Sequence, residues 1–201
     1  MTAQPLPPMQ FSLPIEHLLT IDEYAAIGEV EHGRVELQEG SLVMSPSPTP
    51  FHMLAIAGLH HQLRPQLPDG LVAVPDVDID LDLVPRTEPG SSRRPDLIVV
   101  DRAALDRVAD EGGLIRASEV VVVVEVVSKG SRRMDNNVKR GEYADAGIGH
   151  YWIVDIEDPV SLVACQLTEQ FGYADAGAVT GGFEIASPFE VTVDLDALLA
   201  Y

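Results

Sequence analysis

Hydrophobic and polar positions change their spacing several times along this chain, and each change predicts an element. Thr20-Ile21-Asp22-Glu23, flanked by Leu19 and Tyr24, has the form of a capping box with its hydrophobic staple, so a short helix should run to about Ile27. Arg34–Gln38 and Ser41–Ser45 read as two strands turned at Glu39-Gly40, followed by a Pro/Ser loop to Pro50. Phe51 to Leu67 has helical spacing, with Leu54, Ala57, Gly58, His61 and Leu63 as candidates for the inner face, and Pro68-Asp69-Gly70 ends it. Val72 to Leu81 reads as a strand that shifts phase at Pro75, Val84 to Arg94 as a polar loop, and Asp96 to Asp101 as a short strand entered through Pro95. After a helical turn and a glycine loop to Ala117, Glu119 to Val127 is an almost unbroken valine strand. Arg132 to Ala146 reads as a helix stopped by Gly147, His150–Asp155 and Val160–Leu167 as strands, 171–190 as irregular strands, and Asp194–Leu199 as a final short helix capped by Asp194.

Helices and strands therefore alternate around one buried mixed sheet. The class is α/β (α+β), with an extra N-terminal helix and hairpin. With 201 residues and 46% hydrophobic composition the chain can bury a sizeable core. Residues 1–15 read as a flexible proline-rich arm, and 16–201 as a single domain. No apolar run is long enough to span a bilayer, so no membrane role is expected. The lone Cys165 permits no internal disulfide and fits a cytoplasmic protein.

The net charge of −19 disfavours a chain-wide nucleic-acid footprint. The few cations nevertheless cluster: Arg93 and Arg94 before Asp96, and Lys129, Arg132, Arg133, Lys139 and Arg140 after Glu125, which leaves room for a local basic patch.

Glu125 changes the picture most. A β-branched run of this length belongs to a strand buried on both faces, and an uncompensated carboxylate there costs several kcal/mol. A metal, a cation or a proton must sit beside it. A divalent metal shared with Asp96 answers this best, because neighbouring strands lie about 4.8 Å apart and two carboxylates on one face can hold a small hard cation. Asp135, Lys139 and Tyr143 are spaced four apart and share a helix face that could point an ammonium at this site. A surface Asp135–Lys139 pair is the bland alternative. Glu36 is a third candidate acid or an ordinary exposed strand residue. His52 caps or hydrogen-bonds near the Ser45–Pro50 loop, or contacts substrate. Ser128 to Ser131 with Arg132 is a phosphate-facing loop or a plain connection. Asp76, Asp78, Asp80 and Asp82 form a solvated strand face, unless Asp78 or Asp80 approaches the metal. His60 and His61 lack metal spacing, Tyr151 and Trp152 suit packing, and no serine elbow or Gly-Lys-Ser/Thr phosphate loop occurs.

Pro95-Asp96 on one strand and Glu125 on the next resemble the PD-(D/E)xK nuclease superfamily. The longer ordered set is more specific: Arg34-Val35-Glu36-Leu37, Gly40, Ser45-Pro46, His52, Pro95-Asp96-Leu97, Glu125-Val126-Val127-Ser128, Asp135, Lys139, Tyr143, Ala146-Gly147 and Tyr151 to Asp155 are similar to the Uma-two family of restriction-endonuclease-like proteins, over roughly residues 18 to 200. The resemblance implies a restriction-endonuclease-like core and a Mg2+- or Mn2+-dependent endonuclease acting on DNA. Asp96, Glu125 and the Val126 carbonyl would hold the metal, with Lys139 and Glu36 in catalysis and His52, Ser128, Arg132 and Tyr143 near substrate. A lysine two residues after the second acid would fall at Val127, which cannot act. Lys139 is its natural replacement, with Lys129 as a rival. A homodimer is expected, the pairing by which a nuclease of this size faces both strands. A non-catalytic module binding a protein partner, or a phosphodiesterase for a substrate other than DNA, remains as an alternative.

Overall fold

The structure is a computed structural model that describes residues 17–28, 33–45, 47–127 and 138–200. Its chain order is α1 (Ile21–Ile27), β1 (Arg34–Gln38), β2 (Ser41–Ser45), α2 (Pro50–Leu63), β3 (Leu71–Pro75), β4 (Ile79–Asp80), β5 (Ser92–Arg93), β6 (Leu97–Asp101), α3 (Arg102–Glu111), β7 (Ile115–Arg116), β8 (Val120–Val127), α4 (Arg140–Asp145), β9 (His150–Asp155), β10 (Ser161–Thr168), β11 (Gly172–Asp175), β12 (Val179–Thr180), β13 (Gly182–Ile185) and β14 (Val191–Asp194). Short 3-10 turns occupy Arg64–Gln66, Ala117–Glu119 and Asp196–Leu199. Among the described residues no helix is long and apolar enough to cross a membrane.

The valine strand β8 lies inside a seven-stranded sheet ordered β11-β10-β9-β8-β6-β3, with β12 beside β10. It runs antiparallel to β6 and parallel to β9. Both faces are covered, which is why its sequence does not alternate. Val122, Val124 and Val126 pack with Trp152, α2 and the β13–β14 hairpin. Val123 and Val127 pack on the other side with Ile98, Tyr143 and Tyr151. Glu125 has the parity of the second set and enters that face.

Local signals act as their chemistry dictates. Thr20 and Glu23 close the capping box of α1, and Leu19 and Tyr24 are buried together. Helix α4 ends in a Schellman turn: Gly147 has φ of 76°, its N–H donates to Ala144 O at 3.0 Å, and Ile148 N–H donates to Tyr143 O at 3.1 Å. The expected helix from Arg132 is described here only from Val138 onward. Asp194 Oδ1 accepts from Ala197 N at 3.1 Å at the last turn.

Three expectations are corrected. The described residues form not one sheet but three, the second a five-stranded sheet ordered β2-β1-β5-β4-β7 and the third the β13–β14 hairpin. The strand expected over Val72–Leu81 is two strands in different sheets, parted at Asp76, whose φ is 56°. The four aspartates consequently share no solvated face: Asp76 pairs with Arg34, Asp78 with Arg94, and Asp80 is buried. The inner face of α2 is Ala55, Ile56, Leu59 and Leu63, whereas Leu54, Ala57 and His61 are exposed. This helix is apolar nearly all round, so its sequence defines no single stripe. Gly58 lies against the chain's last turn, where a Cβ would stand 3.1 Å from Leu198 O.

Candidate active site

The β6–β8 ladder pairs Leu97 with Val124. Continued by one rung, it sets Asp96 opposite Glu125, and opposed residues in an antiparallel pair share a face. Both carboxylates are buried, at 4% and 3% exposure.

Each acid is met by protein groups. Lys139 Nζ donates to Glu125 Oε1 at 2.9 Å, and the Tyr143 hydroxyl donates to the same oxygen at 2.6 Å. Asp96 Oδ2 accepts from Val126 N–H at 2.8 Å. His52 Nε2 lies 2.8 Å from Asp96 Oδ1, and Arg34 Nη1 lies 3.4 Å from the same oxygen. Burial of Glu125 therefore does not by itself require a metal, because an ammonium and a phenol already offset its charge.

Glu36 is buried and not an exposed strand residue. Its Oε1 accepts from Arg94 N–H at 2.9 Å and lies 3.9 Å from Lys139 Nζ. Its Oε2 accepts from Arg93 Nη1 at 3.1 Å. Arg93 also grips Glu142 on α4 through two bonds, one of 2.7 Å from Nε. One guanidinium thus ties the five-stranded sheet to the helix that carries Tyr143 and follows Lys139 directly.

Tyr143 is fully buried. Burial, and after it the Glu125 charge, holds its hydroxyl well above the ordinary phenol range, so it remains a donor. Its ring packs edge-on against Tyr151, with centroids 5.3 Å apart.

The structure gathers Lys139, Tyr143 and Glu36 around Glu125, and His52 on Asp96 at the opposed position of the β6–β8 ladder. For Val126, the expectation concerned its carbonyl, whereas the contact formed is through its amide. Ser128, Lys129, Arg132 and Asp135 lie outside the described residues. Arg93 and Arg94 are not a surface basic patch, since both are engaged by acids. Arg140 turns away to Asp175 and the Tyr173 carbonyl, at 2.7 and 2.8 Å. Arg34, Arg93 and Glu142 were given no individual role by the sequence. The one local hint is Glu142, a single position before Tyr143, on the turn that follows Lys139.

Among the described residues, no three His, Cys, Asp or Glu side chains converge as a metal cluster. The donor set still fits a hard cation such as magnesium, which needs one or two carboxylates and takes its other oxygens from water and substrate phosphate. Asp96 and Glu125 would supply that pair.

The family model described as "Uma2: Putative restriction endonuclease" matches residues 21–193. No curated protein matches the chain. The fold is similar to the crystal structure of a putative nuclease belonging to DUF820 from Anabaena variabilis ATCC 29413, with TM-score 0.65 and 15% identity over 90% of this chain and 99% of that one. With the family model spanning nearly all of the described elements, this chain belongs to the Uma2 family of putative restriction endonucleases.

Proposed function

We propose that the chain is a magnesium- or manganese-dependent nuclease that hydrolyses phosphodiester bonds in DNA. The observation that carries this is the placement of Lys139 on Glu125, with Asp96 on the opposing rung. A protein-binding module would have no need of two buried acids, an ammonium and a phenol gathered at one strand end, and would cover that end with apolar side chains.

Asp96 and Glu125 would hold the metal. When bound, it supplies positive charge for a phosphate oxygen and acidifies a water. The protein groups do the rest. Lys139 Nζ carries the positive charge that offsets negative charge growing on the phosphoryl oxygens. Glu36, 3.9 Å away, helps to direct that ammonium. The Tyr143 hydroxyl fixes the Glu125 carboxylate, and His52, Arg34 and the Val126 amide fix that of Asp96.

Cleavage of plasmid DNA with magnesium or with chelator, by wild type, Glu125→Ala and Lys139→Ala, tests the reading. Wild type should cut only with the metal, and each variant should lose about 10²-fold or more. Failure to cut any DNA or RNA with metal present would remove it. The net charge of −19 favours one second reading, hydrolysis of a smaller phosphodiester, because a long polyanion is repelled. Inhibition of DNA cleavage by bis(p-nitrophenyl) phosphate, compared with cleavage of that compound itself, separates the two.

A further inference from the structure

Strand β2 ends the five-stranded sheet, with β1 on one side and no strand on the other among the described residues. Proteins usually blunt such an edge with a lysine, a proline or a bulge. Strand β2 has none of these: Ser41-Leu42-Val43-Met44-Ser45 pairs with β1 in five regular rungs. Val43 and Met44 are 37% and 55% exposed.

The edge also begins an unusual stretch. Residues 41–63 contain no Asp, Glu, Lys or Arg, in a chain with 32 acids and 13 cations. The exposed Val43, Met44, Phe51, Met53 and Leu54 all fall inside it. Two copies of a chain with net charge −19 repel wherever acids meet. Here they can approach with no like charges opposed.

The strand is complementary to itself. Laid antiparallel about Val43, Ser41 faces the partner's Ser45, Leu42 faces the partner's Met44, and Val43 faces the partner's Val43. A twofold interface demands this match of a surface with its own copy.

We propose that two copies of this chain join through β2, edge to edge, as one continuous ten-stranded sheet. The β1–β2 register pairs Glu36 with Val43, so these two share a sheet face. Three strand steps then separate Glu36 from the partner's Glu36, about 14 Å. Both candidate sites open on the same side of the joined sheet, the arrangement a two-stranded substrate requires. That last consequence rests on the nuclease reading. The interface does not, and its test reads mass and cross-linking, so either can fail alone.

Sedimentation equilibrium of the full chain at micromolar concentration should give twice the chain mass for wild type and the single-chain mass for Val43→Lys. Val43→Cys should form a disulfide-linked dimer under mild oxidation, because a residue facing its own copy across an antiparallel pair has a Cα spacing of about 4.5–5.5 Å, within disulfide reach. Cys165 is buried and should stay silent, and Phe171→Cys, at an 85% exposed position, controls for random collision. The cysteine variants keep the test valid should the lysine variant fail to fold. A wild type that remains a single chain, a dimer that persists in folded Val43→Lys, or a Val43→Cys that cross-links no faster than Phe171→Cys would each overturn the interface.

Discussion

Lys139 Nζ stands 2.9 Å from Glu125 Oε1, although the lysine arrives on the segment leading into α4 and not on the glutamate's own strand. Position 127, where the plain motif would put a lysine, is a buried valine of the same apolar cluster as Tyr143 and Ile153. A lysine at 127 would bury its charge within that apolar layer, whereas Lys139, entering from the helix side, keeps its side chain 11% exposed.

Lys139→Met should therefore cost both activity and stability. Removing one partner of a buried pair leaves a charge uncompensated, a loss of about 3 kcal/mol. Urea unfolding at pH 7 measures it. Stability equal to wild type would show that the pair does not offset the burial of Glu125.

Tyr143→Phe isolates the second compensator. The hydrogen bond to a charged acceptor contributes about 1.5–3 kcal/mol, and the ring packing against Tyr151 is retained. Its pH signature is distinct. The folded phenol is pushed above its ordinary value, and burial does the same to Tyr24 and Tyr173. A raised value means that the fold favours the protonated form. Stability from these groups is present below the unfolded phenol value of about 10 and is lost as pH rises beyond it. Unfolding free energy should fall above about pH 10, and less steeply in Tyr143→Phe. A rise in that range would contradict the assignment.

Arg93→Met tests the clamp between Glu36 and Glu142. Without the guanidinium, Glu142 loses both of its bonds to Arg93 while Glu36 keeps the Arg94 N–H and Lys139, and stability should fall by about 3 kcal/mol, as read by chemical denaturation. A change below 1 kcal/mol would mean that lysine and solvent already satisfy the two carboxylates.

Asp80 offers a prediction of opposite sign. Burial raises its carboxyl value despite the Asp82 amide and Arg86 nearby. The fold thus favours the protonated acid: its contribution is complete below the unfolded value of about 4 and is lost as pH rises through the folded one. Asp80→Asn keeps an oxygen for the Asp82 N–H and should melt higher than wild type at pH 7, with the gain shrinking as pH falls towards 4. A variant that melts lower at pH 7 would show that the Arg86 contact outweighs the burial.

Features with a local cause were legible in the sequence: the capping box at Thr20, the hairpin at Glu39-Gly40, the glycine stop at Gly147 and the anomaly of an acid among valines. The five-stranded sheet was not, because β4, β5 and β7 are two residues each and too short to show any period. The fate of the arginines was hidden as well. Arg93 meets Glu36 and Glu142 across 57 and 49 positions of chain, and no local pattern encodes such pairs. The same internal pairing explains why Arg93 and Arg94 form no surface patch.

Manganese titration followed by electron paramagnetic resonance, on wild type, Asp96→Asn and Glu125→Gln, addresses the central claim without needing a substrate. The account predicts that wild type binds the ion and that both variants bind it at least ten-fold more weakly. Equal binding by all three, with the variants folded, would contradict it.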